Sequence, residues 1–143
     1  MRGHALDGRR RHDSDAGPQR DHAQYTFKTV GADAQLQARA RDLGLQHVYT
    51  GVKDKGAVLL QLCESLELSL EEAAHMGDDL PDLPALLQVG LSAAPANAHP
   101  WIAERVHWQS RLRGGEGAAR ELCDLILDAK GLRAAVLEQF GAA

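Results

Sequence analysis

The residues of this chain that could do chemistry gather in one stretch, His75-Met76-Gly77-Asp78-Asp79-Leu80-Pro81-Asp82. Residues 73–76 read as a short buried strand that runs into a glycine and three carboxylates. In an open α/β sheet, ligands collect just beyond the carboxyl ends of the strands. A strand ending in Gly-Asp-Asp-x-x-Asp sets hard oxygen ligands at that mouth, where Mg2+ is held by one or two carboxylates, waters and a substrate phosphate. The same residues also read as an acidic turn, with Asp79 as the N-cap of a helix over 80–89. Both readings stay open on this stretch alone.

The elements around it have to position these side chains. Leu70-Glu71-Glu72-Ala73-Ala74 gives a helical turn, with Ser69 and Glu72 placed as a capping box. Upstream, Leu36, Ala40 and Leu43 repeat at helical spacing, and Gly44 stops that helix. A strand follows over 46–49, then a loop opened by Gly51 that carries Lys53 and Lys55. Val58, Leu59, Leu62 and Leu66 share one face of a helix over 55–67. Beyond the acidic loop come a helix over 82–88, a strand over 90–93 and a helical turn over 99–104. Val106-His107-Trp108 reads as a further strand, with Trp101 and Trp108 packing against the sheet edge. The Gly-rich segment at Gly114 leads into a helix to about Ala129 that turns Ala119, Leu122, Cys123, Ile126 and Leu127 inward. Gly131 ends it, and a last amphipathic helix covers 132–140. Alternating strands and helices imply an α/β protein, a parallel sheet with helices on both faces.

Three further segments keep the acidic stretch company: His47-Val48-Tyr49-Thr50-Gly51-Val52-Lys53-Asp54-Lys55, Gly90-Leu91-Ser92-Ala93-Ala94-Pro95-Ala96-Asn97-Ala98-His99-Pro100, and Gly114-Gly115-Glu116-Gly117-Ala118-Ala119-Arg120-Glu121. In this order they resemble the 3-deoxy-D-manno-octulosonate 8-phosphate phosphatases of the haloacid dehalogenase-like superfamily. The resemblance covers about Gln35 to Lys130 and corresponds to the C-terminal part of that family's chain. It implies a Rossmann-type, three-layer fold and Mg2+-dependent hydrolysis of an eight-carbon sugar-acid phosphate on the way to lipopolysaccharide, by a homotetramer. Phosphoryl transfer to an aspartate needs a carboxylate nucleophile, Mg2+ against the phosphate charge, and a cation at the developing charge. By resemblance, Lys55 is the catalytic lysine that steadies phosphate and nucleophile, and Arg39 contacts substrate. Asp78 is the protein's Mg2+ ligand, with Asp79 and Asp82 tuning it from behind or binding the adjoining backbone. The residues alone also allow Lys55 and Arg39 to be solvated surface side chains, with Arg41 the equal of Arg39. The Gly114-Gly115-x-Gly117 loop resembles a family segment near the active site and subunit contacts. His99 and His107 read as packing or surface histidines rather than ligands.

The N-terminal part departs from the family. Its members carry Asp-x-Asp, supplying nucleophile and general acid, after an apolar strand. The only Asp-x-Asp here is Asp13-Ser14-Asp15, preceded by Arg9-Arg10-Arg11-His12. Lys28-Thr29-Val30-Gly31 does not supply the family's Thr-Gly-Arg. Residues 1–31 therefore read as an atypical segment, disordered at least to about Gln24 because it has few large apolar side chains to bury. Tyr25 to Val30 reads as a short strand or a local turn. Residues 32–143 read as an incomplete phosphatase domain, with N-terminal strands missing. A misplaced start or shifted reading frame would produce such a chain, and a non-catalytic phosphate- or Mg2+-binding or subunit-association module is the second function class. Missing strands would also leave an exposed sheet edge.

Length and composition fit one domain. The chain has 143 residues, 44% hydrophobic and 25% charged, enough for a sizeable core. The net charge of -4 argues against non-specific nucleic-acid binding. Without an apolar run of about 18 residues or a signal-peptide core after Met1, the expectation is a cytoplasmic protein with no membrane partner. Cys63 and Cys123 read as reduced, small core hydrophobes.

Overall fold

The computed structural model describes residues 26–29 and 34–142. The expectations for Arg9-Arg10-Arg11-His12, for Asp13-Ser14-Asp15 and for disorder to about Gln24 lie outside the described residues. The described residues fall into two compact units, one holding 26–27 and 34–49, the other 28–29 and 50–142.

Strand β1 (Thr26–Thr29) pairs with β2 (His47–Thr50) in a two-stranded sheet. Helix α1 (Ala34–Asp42) buries Ala40. Gly44 ends this segment with φ +69° and donates its N–H to the Arg41 carbonyl at 2.9 Å, as a left-handed stop requires. Leu43 lies in that closing turn, past the last helical residue, and is 50% exposed rather than inward.

In the second unit, α2 (Lys55–Ser65) starts at Asp54, whose Oδ1 accepts the Ala57 N–H at 2.9 Å. Leu62 and Cys63 are buried on its inner face, with Val58, Leu59 and Leu66 half-buried beside them. A 3-10 turn, Leu70–Glu72, carries the capping box read from Ser69 and Glu72. It leads into β3 (Ala74–Met76). Strands β3, β4 (Leu91–Ala94) and β5 (Trp108–Gln109) form a parallel sheet in the order β3-β4-β5, with Met76 opposite Ala93 and Ala93 opposite Trp108. The central strand β4 is the most buried, and Ser92, Ala93 and Ala94 are almost fully enclosed. Strand β3 is less buried than its residues suggested: Ala74 is exposed, with His75 and Met76 half-buried, because it lies at the end of this sheet.

The helix expected over 80–89 is shorter. A 3-10 turn, Leu80–Asp82, hands over to α3 (Leu83–Leu86), since Pro81 and Pro84 each remove a backbone donor and fit only a first turn. Ala85, Leu86 and Val89 are buried, and Leu86, Ala94 and Ile102 form the core cluster. Ile102 comes from α4 (Pro100–Ala103). Trp101 on that helix points outward at 58% exposure instead of packing on the sheet, and its ring meets His99 edge-on at 5.2 Å. The last strand starts at Trp108 rather than Val106. Helix α5 (Ala118–Ala129) buries Ala118 and Leu122. Cys123, Ile126 and Leu127 are half-buried on the same face, whereas Ala119 is exposed. Helix α6 (Arg133–Gln139) follows Gly131. Both cysteines are free, Cys63 buried and Cys123 half-buried. No helix among the described residues is long and apolar enough to cross a membrane.

Candidate active site at the carboxyl ends of the parallel strands

Asp82 is the hub of the acidic loop. It is 5% exposed, and its Oδ1 pairs with the Lys55 ammonium. Its Oδ2 accepts the backbone N–H groups of Asp78 at 3.1 Å and Asp79 at 3.3 Å. Burial works against the charged carboxylate. The hydrogen bond from Lys55, the Asp79 N–H, the Lys55 charge and the Asp78 N–H outweigh it, holding the carboxyl below its ordinary range. Such closeness needs a glycine. A Cβ on Gly77 would lie 2.4 Å from Cβ and 2.6 Å from Cγ of Asp82, so any side chain there would push the hub away.

Lys55 is 9% exposed at the start of α2. It is therefore not a solvated surface lysine: a buried ammonium needs a partner, and Asp82 is that partner. Asp79 spends Oδ1 on the Leu80 N–H at 2.8 Å and caps the 3-10 turn. The acidic turn and the site thus coexist in the same residues. Asp78 is different, with an exposed side chain and both flanking backbone groups fixed. Its N–H goes to Asp82, and its carbonyl accepts the His99 N–H at 2.8 Å.

The loops after β4 and β5 are tied together beside it. Asn97 Oδ1 accepts the Gly114 N–H, and Leu112 O accepts the Ala96 N–H, both at 2.8 Å. Glu121 anchors the second loop from α5. It accepts the Ser110 hydroxyl, the Arg111 N–H at 3.1 Å and the Arg111 Nε–H at 3.2 Å. The Ser110 hydrogen bond, with the two from Arg111 and the Arg111 charge, outweighs desolvation and keeps the Glu121 carboxyl below its ordinary range. Sequence reasoning missed Glu121; the one available signal is a carboxylate in the first turn of the helix that follows a glycine-rich loop. Gly115 and Gly117 take φ +79° and +109°, so these glycines serve a left-handed backbone path. His107 is a clamp between strands, its Nδ1 accepting the Ser92 N–H at 2.9 Å.

The structure brings Lys55, Asp78, Asp79 and Asp82 together in the second unit. Arg39 lies in the first, exposed on α1.

The donor chemistry can be tested against Mg2+. Among the described residues no group of three His, Cys, Asp or Glu side chains could hold a metal. Asp82 and Asp79 are committed to Lys55 and backbone N–H groups, which leaves the Asp78 carboxylate facing solvent. One hard carboxylate fits Mg2+, which keeps several waters and takes one or two carboxylates with a substrate phosphate.

Comparison with known proteins identifies the family. The family model of haloacid dehalogenase-like hydrolases matches residues 33–122. The chain is 47% identical over 92 residues to 3-deoxy-D-manno-octulosonate 8-phosphate phosphatase KdsC of Yersinia pestis, which aligns 64% of this chain with 49% of the relative. It is 43% identical over 103 residues to KdsC of Escherichia coli K12, with 71% and 55% covered. Among solved structures it resembles the Moraxella catarrhalis phosphatase of the same name, bound to a magnesium ion, a phosphate ion and a KDO molecule. That match has a TM-score of 0.77 and 33% identity, and covers 80% of this chain and 66% of that one. The chain belongs to the haloacid dehalogenase-like hydrolases and, within them, to the KdsC family. It spans about half the length of the curated relatives it matches.

Proposed function

We propose that this chain carries the Mg2+- and phosphate-holding part of a cytoplasmic 3-deoxy-D-manno-octulosonate 8-phosphate phosphatase. Such an enzyme hydrolyses the sugar phosphate to free sugar acid and phosphate for lipopolysaccharide precursors and assembles as a homotetramer. The observation that carries the reading is the Asp82 hub, which fixes Lys55 and the Asp78 backbone with one carboxylate and leaves the Asp78 side chain open. Asp78 would hold Mg2+, which when bound supplies charge neutralisation to the phosphate oxygens. Lys55, already buried, directs its ammonium at the phosphoryl charge, where a prepositioned cation costs no reorganisation. Asp82 is the positioning residue for both, and Asp79 closes the turn. Arg39 is the substrate contact that the family resemblance implies. Residues 32–143 form the incomplete phosphatase domain, behind the atypical 1–31.

A second reading is favoured by one observation: no Asp-x-Asp follows an apolar strand in the sequence. Without a nucleophile the chain is weak or inactive in turnover, and acts as a phosphate/Mg2+-binding or subunit-association module. Phosphate release from 3-deoxy-D-manno-octulosonate 8-phosphate, with and without Mg2+, separates the two. Mg2+-dependent release that vanishes in Asp78→Ala supports an enzyme complete in itself. No release from folded protein supports the binding module.

A further inference from the structure

The peptide groups around Asp78 are held from two sides, and the second holder is a residue with no role in the account above. The Asp78 N–H is bound by Asp82, while its carbonyl is bound by the backbone N–H of His99 at 2.8 Å. His99 is half-buried at the N-cap of α4. Its Nδ1 accepts the Trp101 N–H at 3.2 Å, and its carbonyl accepts the Ile102 N–H at 2.8 Å and the Ala103 N–H at 3.1 Å. Its ring meets the Trp101 indole edge-on. Ile102, three residues on, is fully buried in the core cluster. A rigid path therefore runs from the core through the first turn of α4 to the Asp78 carbonyl, and the imidazole cap closes that turn.

We propose that His99 is a positioning residue, whose side-chain cap on α4 holds its own backbone N–H against the Asp78 carbonyl and so aims the Asp78 carboxylate. The functional meaning of this rests on the Mg2+ reading of Asp78; the mechanical coupling does not. Helix α4 has only four residues, so loss of the cap frays the whole first turn, including the residue that grips Asp78. An N-cap needs a side-chain acceptor. Asparagine places its Oδ1 near the position of the imidazole Nδ1 and preserves the function, whereas alanine removes it.

Amide hydrogen exchange on the full chain tests this, comparing wild type, His99→Ala and His99→Asn. In His99→Ala the exchange of the His99 and Trp101 amides should rise about fivefold, the ratio a lost helix cap implies, and that of the Asp78 and Asp79 amides should rise with it. His99→Asn should stay within about twofold of wild type. The proposal is overturned if Asp78 and Asp79 are unmoved while the cap exchanges faster, or if Asn and Ala behave alike. A magnesium chloride titration followed at the Asp78 amide adds the functional arm, with a weaker response in Ala and recovery in Asn. A wild-type chain that shows no Mg2+ response removes the metal reading of Asp78 and leaves the exchange result to decide the coupling.

Discussion

At the residue scale the decisive side chain is Asp82, and electrostatics set what it does. Two buried, opposite charges face each other, and such a pair is weak evidence for stability as long as it is intact. Removing one partner is costly, because the other charge stays in a low-dielectric site. Asp82→Asn should therefore destabilise the fold by about 3 kcal/mol at pH 7, measured by thermal or urea unfolding. The pH dependence follows from the depressed carboxyl of Asp82. A carboxylate with a lowered folded pKa contributes stability that is present above its unfolded value, about 3.9, and lost as pH falls through the folded value. The gap between wild type and Asp82→Asn should thus hold at pH 5 to 7 and narrow below about pH 4. A gap that is the same at pH 3 would mean that Asp82 contributes through packing rather than charge.

At the element scale, short pieces are locked by close backbone contacts. The 3-10 turn at Leu70–Glu72 lies directly on Gly90, where an added Cβ would come within 1.9 Å of the Glu71 carbonyl oxygen. Backbone cannot rotate away as a side chain can. Gly90→Ala should displace the turn from the start of β4 and cost about 1–3 kcal/mol, seen as a lower urea midpoint with an unchanged slope. Much at this scale was legible in the sequence. The capping box at Ser69 and Glu72, the stop at Gly44 and the start of α2 at Lys55 follow from local rules of capping and spacing. Less legible were the elements decided by tertiary neighbours. Two prolines cut the expected helix at 80–89 down to a 3-10 turn and one short α-turn. In α5 only the first position of the expected stripe changed, with Ala118 buried in place of Ala119, while Leu122, Cys123, Ile126 and Leu127 face inward as expected. Trp101, expected against the sheet edge, faces solvent beside His99.

At the scale of the whole molecule, the order of segments carried the family assignment better than any one motif. A strand, an acidic turn, a second strand and a glycine-rich loop could each be found in unrelated folds. In sequence they bring three carboxyl strand ends to one mouth, where a sheet collects ligands. By type Asp78, Asp79 and Asp82 look equivalent, and the family resemblance alone set Asp78 apart. The fold adds the contacts that the sequence does not display: Asp79 caps the turn, Asp82 is the hub, and the Asp78 carboxylate is exposed. The partner of Lys55 was hidden for the same reason, since it lies 27 residues away.

The central claim is that Asp78 and Lys55 act together on a magnesium-bound phosphate. Titration calorimetry of inorganic phosphate into the folded chain, with and without Mg2+, tests it most directly. We expect saturable binding that requires Mg2+, falls at least tenfold in Asp78→Ala, about 1.4 kcal/mol, and falls similarly in Lys55→Met with the fold intact. Phosphate binding that ignores Mg2+, or survives both substitutions unchanged, would contradict the account.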